Sequence, residues 1–145
     1  MARMLNVNEV KKKILTLRSG NALLAIIPEV GGCITRYCLK TEEQVLEFMR
    51  PSIQVRLAAE DPTEMSCFPL IPFSNRIRNG RFSFQGKQIK ILTNFPPEVH
   101  TILGHGWKAP WTVSEIKENR AILVYQHFPN AVSYTHLTLP TTPYV

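Results

Sequence analysis

Proline and glycine break this chain so often that no long helix has room to form. Eleven prolines and seven glycines fall among its 145 residues. Between them the apolar residues come in short runs, and several runs alternate apolar and polar positions. That alternation is the period of a strand with one face buried. Turn residues spaced between such runs predict many short strands.

The strands can be placed. Residues 13–18 alternate, and Ser19, Gly20 and Asn21 form a turn. Residues 22–27 make a short apolar strand closed by Pro28. Val30, Gly31 and Gly32 form a turn where the backbone needs room or a positive φ. Residues 33–39 and 45–49 read as two more strands, the second stopped by Pro51. Residues 51–65 are mixed and acidic and read as a long loop with room for one short helical turn. Residues 67–73 are apolar, yet Pro69 and Pro72 deny ladder hydrogen bonds, so an edge or an irregular crossing is expected. Residues 81–84 and 88–92 alternate around Gln85, Gly86 and Lys87, which predicts a β-hairpin. Residues 94–106, rich in proline and histidine, read as a loop. Residues 111–116 and 121–128 predict a second hairpin. No internal repeat is present. The fold class is all-β, an antiparallel β-sandwich.

Composition excludes several functions. With 44% apolar and 19% charged residues, the chain has enough core for one domain and is not disordered by composition. The net charge is +6, but Lys11, Lys12 and Lys13 are the only run of three bases. A nucleic-acid surface would spread bases along one face with interleaved aromatics, whereas the other bases here are scattered singly through apparent strands, so no nucleic acid is expected as a partner. No stretch approaches the roughly 18 apolar residues of a membrane span. The first residues, MARMLNVNEVKKK, lack the continuous apolar stretch of a signal peptide. Cys33, Cys38 and Cys67 fit neither a CxxC pair nor a zinc knuckle. They read as small core residues in a reducing cytoplasm, and no metal is expected.

The C-terminal residues stand apart. Residues 132–141 read VSYTHLTLPT, and the segment from Val132 onward lacks any Asp, Glu, Lys or Arg. The string resembles the in-frame translation of a transposase adaptor used in sequencing libraries. Residues 132–145 are therefore read as a non-native tail, and Tyr134 and His136 carry no functional weight.

Three segments carry possible chemistry. They are PEVGG at residues 28–32, FPLIPFSNRIRNGRFSFQGK at 68–87, and GHGWKAPW at 104–111. Asn75 and Arg76 follow a proline-broken stretch, so their backbone lies outside regular pairing. Asn offers donors and an acceptor, and Arg offers five donors in a rigid fork, which suits a polyhydroxylated ligand. Read structurally, the same pair caps a crossing and binds a carboxylate. Trp107 and Trp111 read either as core or as aromatic faces for stacking on sugar C–H surfaces. His105 reads either as a ligand contact or as a loop histidine satisfied by backbone.

The order and spacing of these segments resemble the aldose 1-epimerase (galactose mutarotase-like) family, in its bacterial branch with an HGxGWxxPW segment. The resemblance covers residues 13–128. It implies the N-terminal portion of a β-supersandwich over residues 1–131, truncated before the rest of the fold. It also implies an isomerase that interconverts the α and β anomers of a free aldohexose without cofactor or metal. In that chemistry a carboxylate takes the anomeric proton while a histidine protonates the ring oxygen. The ring opens, the C1–C2 bond rotates, and the ring closes on the other face. The resemblance implies that Asn75, Arg76, His105 and Trp107 bind the monosaccharide, with His105 also the candidate catalytic residue. The family's base and acid map beyond this chain, so the chain itself is expected to be inactive.

One position departs from the pattern. Aligning Gly104, Gly106 and Trp107 puts Leu103 where the family carries its first histidine, and leucine donates no hydrogen bond. Two other readings follow: a non-catalytic carbohydrate-binding relative, and a hexose-phosphate epimerase relative whose positive charge helps hold phosphate. Half of a sandwich also leaves strand edges and apolar surface uncovered, so self-association is expected.

Overall fold

The computed structural model describes residues 14–53 and 61–128. The lysine run at 11–13 and the segment from Val132 lie outside the described residues. Among the described residues ten strands follow in order: β1 (Leu15–Ser19), β2 (Ala22–Ile27), β3 (Cys33–Lys40), β4 (Val45–Glu47), β5 (Arg76–Ile77), β6 (Arg81–Phe84), β7 (Lys87–Lys90), β8 (Thr101–Ile102), β9 (Thr112–Ile116) and β10 (Ala121–Val124). All pairings are antiparallel, and no α-helix occurs among the described residues. The all-β, antiparallel expectation holds.

The described residues fall into two compact units. One holds residues 14–53, 61–74 and 103–126; the other holds 75–102 with 127 and 128.

The first unit is built on a four-stranded sheet in the order β1-β2-β3-β4. Its inward side chains follow the alternation of the sequence: Leu17 on β1, Leu23 and Ala25 on β2, Cys33 and Cys38 on β3 are buried. The spacing from Cys33 to Cys38 breaks a strict period of two, and a bulge is the cause. Ala25 faces Arg36 and Ile26 faces Ile34, so Thr35 is an extra residue on β3. A bulge leaves backbone groups without a ladder partner. Here the Thr35 carbonyl accepts from the Ser52 N–H at 2.8 Å and from the Ser66 hydroxyl at 2.8 Å. The Thr35 hydroxyl donates to the Ala25 carbonyl at 3.3 Å.

Beneath the sheet, Ile27, Val30, Cys33 and Met65 form a buried cluster with Phe68 against it. Each such side chain stabilises the fold by about 1.5–3 kcal/mol relative to exposure. Met65 follows a single 3-10 turn, Pro62–Glu64, capped by Asp61, whose carboxylate accepts from the Thr63 N–H at 2.9 Å. The crossing at 67–73 touches the sheet through one isolated bridge, Ile34 to Cys67. Its prolines account for that, as expected. Cys67 is exposed there, unlike Cys33 and Cys38, which corrects the reading of all three as core residues. The hairpin β9–β10 completes the unit, and the Glu118 carbonyl in its turn accepts from the Arg18 N–H at 2.6 Å.

The second unit contains the hairpin β6–β7, which ends at Lys90, two residues before the expected Leu92. Arg76 and Ile77 also pair with Ile102 and Thr101, a contact across the expected loop, which corrects the reading of the Arg76 backbone as outside regular pairing. Two-residue strands are too short to show a period. Polar side chains take over as their second neighbours. Asn94 accepts from the Ile102 N–H at 3.0 Å and donates to the Ile102 carbonyl at 2.7 Å. The Thr101 hydroxyl donates to the Leu92 carbonyl at 2.9 Å.

Candidate functional site

In the first unit, the PEVGG and GHGWKAPW segments interlock through their backbones. The Gly31 N–H donates to the Ala109 carbonyl at 3.0 Å, and the Trp111 N–H donates to the Pro28 carbonyl at 2.9 Å. Gly31 has φ +63, and a Cβ there would lie 1.9 Å from the Trp107 carbonyl oxygen. Only glycine fits so close an approach in that conformation. On the other side the loop is clamped to the proline-broken crossing. The Gly106 N–H donates to the Ile71 carbonyl at 3.0 Å. A Cβ on Gly104, at φ +72, would lie 2.1 Å from Pro72 Cδ.

Two tryptophans fix this loop from within. The Trp107 indole is fully buried and stacks on Phe68 with ring centroids 5.5 Å apart. Lys108 Nζ lies 4.5 Å from the same ring centre. The Trp107 indole N–H donates to the Gly104 carbonyl at 3.1 Å, and that of Trp111 donates to the Gly106 carbonyl at 2.8 Å. A fully buried ring presents no face to a ligand. Trp107 anchors the loop from within. His105 sits exposed on this anchored loop. Leu103, half-buried, has φ +57. A leucine in left-handed backbone costs about 1–2 kcal/mol, so the rest of the loop enforces that shape.

In the second unit, polar side chains converge on the Asn75 and Arg76 corner. Both residues are exposed, and Asn75 has φ 65, a conformation asparagine tolerates. Arg76 Nε donates to Glu98 Oε2 at 3.1 Å, with the arginine side chain 55% and the glutamate 25% exposed. Glu98 Oε1 accepts from the His100 N–H at 3.2 Å. The Asn79 N–H in turn donates to His100 Nδ1 at 3.2 Å, so the neutral ring carries its proton on Nε2. The Arg76 hydrogen bond, then the His100 N–H, holds the Glu98 carboxyl below the usual glutamate range. Chemically, Glu98 engages the inner nitrogen of the guanidinium, and the terminal NH2 groups keep their donors for a ligand with adjacent oxygens.

Of the sequence-derived site residues, Asn75 and Arg76 are neighbours at this corner, while His105 and Trp107 belong to the loop of the first unit. The sequence reading gave Glu98 no role and His100 none at this corner. One signal was available: Glu98 is the only acid in residues 75–102, a stretch that also carries Arg76, Arg78, Arg81, Lys87 and Lys90. Among the described residues no group of His, Cys, Asp or Glu is arranged to hold a metal ion. No described helix is long and apolar enough to cross a membrane, which says nothing of a β-barrel.

Comparison with known proteins gives one family. The model of the aldose 1-epimerase family matches residues 13–136, a span that runs past Ala131 into the C-terminal segment. The uncharacterized protein YphB of Escherichia coli (strain K12) is 31% identical over 133 residues, covering 88% of this chain and 43% of its own length. A crystal structure from Escherichia coli K12, described as a candidate aldose 1-epimerase, matches with a TM-score of 0.71 at 30% identity. That match covers 80% of this chain and 37% of the other. A GalM/aldose epimerase homologue from C. elegans matches with a TM-score of 0.52 at 16% identity, over 72% of this chain and 33% of that one. At that identity the likeness speaks to the fold alone. The chain spans less than half the length of these relatives.

Proposed function

Because the chain belongs to the aldose 1-epimerase family, we propose that it supplies part of the sugar-gripping wall of an enzyme that interconverts the α and β anomers of a free aldohexose. A carbohydrate epimerase-like role follows from the family and the antiparallel β fold. The finer reading rests on one observation: an exposed arginine whose inner nitrogen is already engaged by Glu98. A guanidinium oriented in this way offers paired donors to vicinal hydroxyls at little further entropic cost. Asn75 adds a donor and an acceptor beside it, and His105 is the candidate polar contact from the anchored loop.

The proton transfers need a base and an acid on opposite sides of the sugar. The family resemblance puts both beyond residue 131. We read residues 1–131 as the N-terminal portion of the sandwich and 132–145 as adaptor-derived. The free cysteines suit a reducing cytoplasm.

Ligand-observed NMR with glucose, galactose and glucose 6-phosphate tests the binding claim. Saturation transfer to a free hexose, abolished in Arg76→Ala, is expected. No transfer to any of the three sugars would refute it, and transfer to the phosphate alone would favour a hexose-phosphate substrate. Polarimetry on freshly dissolved glucose tests the rest: mutarotation at the spontaneous rate is expected, and clear acceleration would overturn the inactivity of this chain.

A further inference from the structure

We propose that His100 is a positioning residue for sugar binding: its neutral ring, with the proton on Nε2, locks the turn after β5 and thereby holds the Glu98–Arg76 pair that presents the guanidinium fork to a hexose. The inference rests on the reading of Arg76 as a sugar-gripping residue and adds the group that fixes the grip. Every residue involved lies in the second unit.

The corner needs such a lock because its strands are short. β5 and β8 share two rungs, Arg76 with Ile102 and Ile77 with Thr101. Continuing that register would set Arg78 against His100, but the chain turns there, with Asn79 at φ 52. The His100 ring takes the place of the lost rung: Nδ1 accepts from the Asn79 N–H at 3.2 Å. The main chain of the same residue engages the carboxylate. Its N–H donates to Glu98 Oε1 at 3.2 Å, while Glu98 Oε2 accepts from Arg76 Nε at 3.1 Å. The Glu98 N–H donates to the Phe95 carbonyl at 2.9 Å, which fixes the base of that side chain. His100 thus touches both ends of the arrangement, the turn that follows β5 and the acid that engages Arg76.

Only the neutral ring can do this. A nitrogen that accepts a hydrogen bond carries no proton, and protonation would turn Nδ1 into a donor facing the Asn79 N–H. Two donors cannot bond, so ring and turn would part. The charged side chains on the elements around the ring are Arg76 on β5, Arg78 in the turn, Arg81 on β6 and Lys90 on β7, with Glu98 the one carboxylate of residues 75–102. Hexose binding is therefore expected to weaken on acidification as His100 charges. Glutamine separates the two properties of the ring, because its carbonyl oxygen accepts as Nδ1 does and does not titrate. Leucine offers no acceptor.

NMR of the whole chain tests this, read beside titrations with glucose and galactose. At neutral pH the His100 ring is expected to show a bare Nδ1 and a protonated Nε2, and the Arg76 Nε–H to be protected from solvent exchange. In His100→Leu that protection is expected to fall and hexose affinity to drop by about tenfold, the scale of one hydrogen bond. His100→Gln is expected to bring both back to within about threefold of the parent. In the parent, Arg76 protection and hexose affinity should fall with the titration midpoint of the His100 ring, and in His100→Gln that step should be gone. A ring protonated on Nδ1 at neutral pH overturns the proposal. So does an Arg76 Nε–H indifferent to His100→Leu, or the same acid step in His100→Gln. Should His100→Leu lose the far-UV circular dichroism of the parent, the ring tautomer and the two acid titrations still decide. Absence of hexose binding to the parent would sink the sugar-gripping reading, whereas protection of the Arg76 Nε–H decides the role of His100 separately.

Discussion

Two regions of this molecule carry the family resemblance, and different forces hold them. The loop at residues 103–111 is held by close backbone approach and a buried indole. Trp107 is fully buried, and the Trp107 carbonyl occupies the space where Gly31 would carry a side chain. The corner at Asn75 and Arg76 is held by a short chain of polar bonds running through Glu98 and His100, with its arginine more than half exposed. Recurring residues in the first region maintain a shape; those in the second present a functional group. Similar-looking motif residues therefore predict opposite mutational signatures.

The sharpest way to break the contrast is to disturb the loop. Trp107→Ala removes a buried indole and is expected to destabilise the first unit by about 3–5 kcal/mol. Gly31→Ala forces a methyl into the Trp107 carbonyl at positive φ and is expected to cost about 2–3 kcal/mol. Urea denaturation followed by circular dichroism measures both. A loss below about 1 kcal/mol for Trp107→Ala would mean the loop is not anchored as described.

At the corner the expected signs reverse. Arg76→Lys keeps the charge but loses the fork, so stability should change by less than about 0.5 kcal/mol. Hexose binding, by contrast, should weaken by about tenfold or more, about 1.4 kcal/mol. Thermal melts beside a sugar titration separate the two effects, and equal losses in both would make Arg76 a structural residue.

The smallest effect is one of pH. Glu98 titrates below the ordinary glutamate range because Arg76, then the His100 N–H, stabilises its charged form. A depressed folded pKa contributes stability that is fully present above the unfolded glutamate pKa. That contribution is lost as pH falls through the lower folded value. Screening by solvent keeps it small at so exposed a pair. The Glu98 carboxyl carbon shift, followed by NMR through acid pH, should give a midpoint below that of the Arg76→Ala variant. Coincident midpoints would remove Glu98 as the partner that positions Arg76.

How far each region was legible in the sequence follows the same division. β2 could be placed from its apolar run and β6 from its alternation, because burial of one face imposes a period on local residues. The bulge at Thr35 was not legible, since it depends on the register of β2 against β3. Nor were β5 and β8, whose two-residue pairing spans the Asn94 loop. Trp107 could be read as ligand platform or core from composition alone. Only its contacts with Phe68 and Gly104 decide for core.

The sequence by itself determined an all-β chain with proline-broken crossings and two hairpins. Those features arise from torsional limits and short-range periodicity, which act within a few residues. Tertiary structure alone decided that Gly31 lies under the Trp107 carbonyl and that Glu98 meets Arg76 from 22 residues away. Contacts at that separation depend on where the backbone returns, and no local propensity encodes that return.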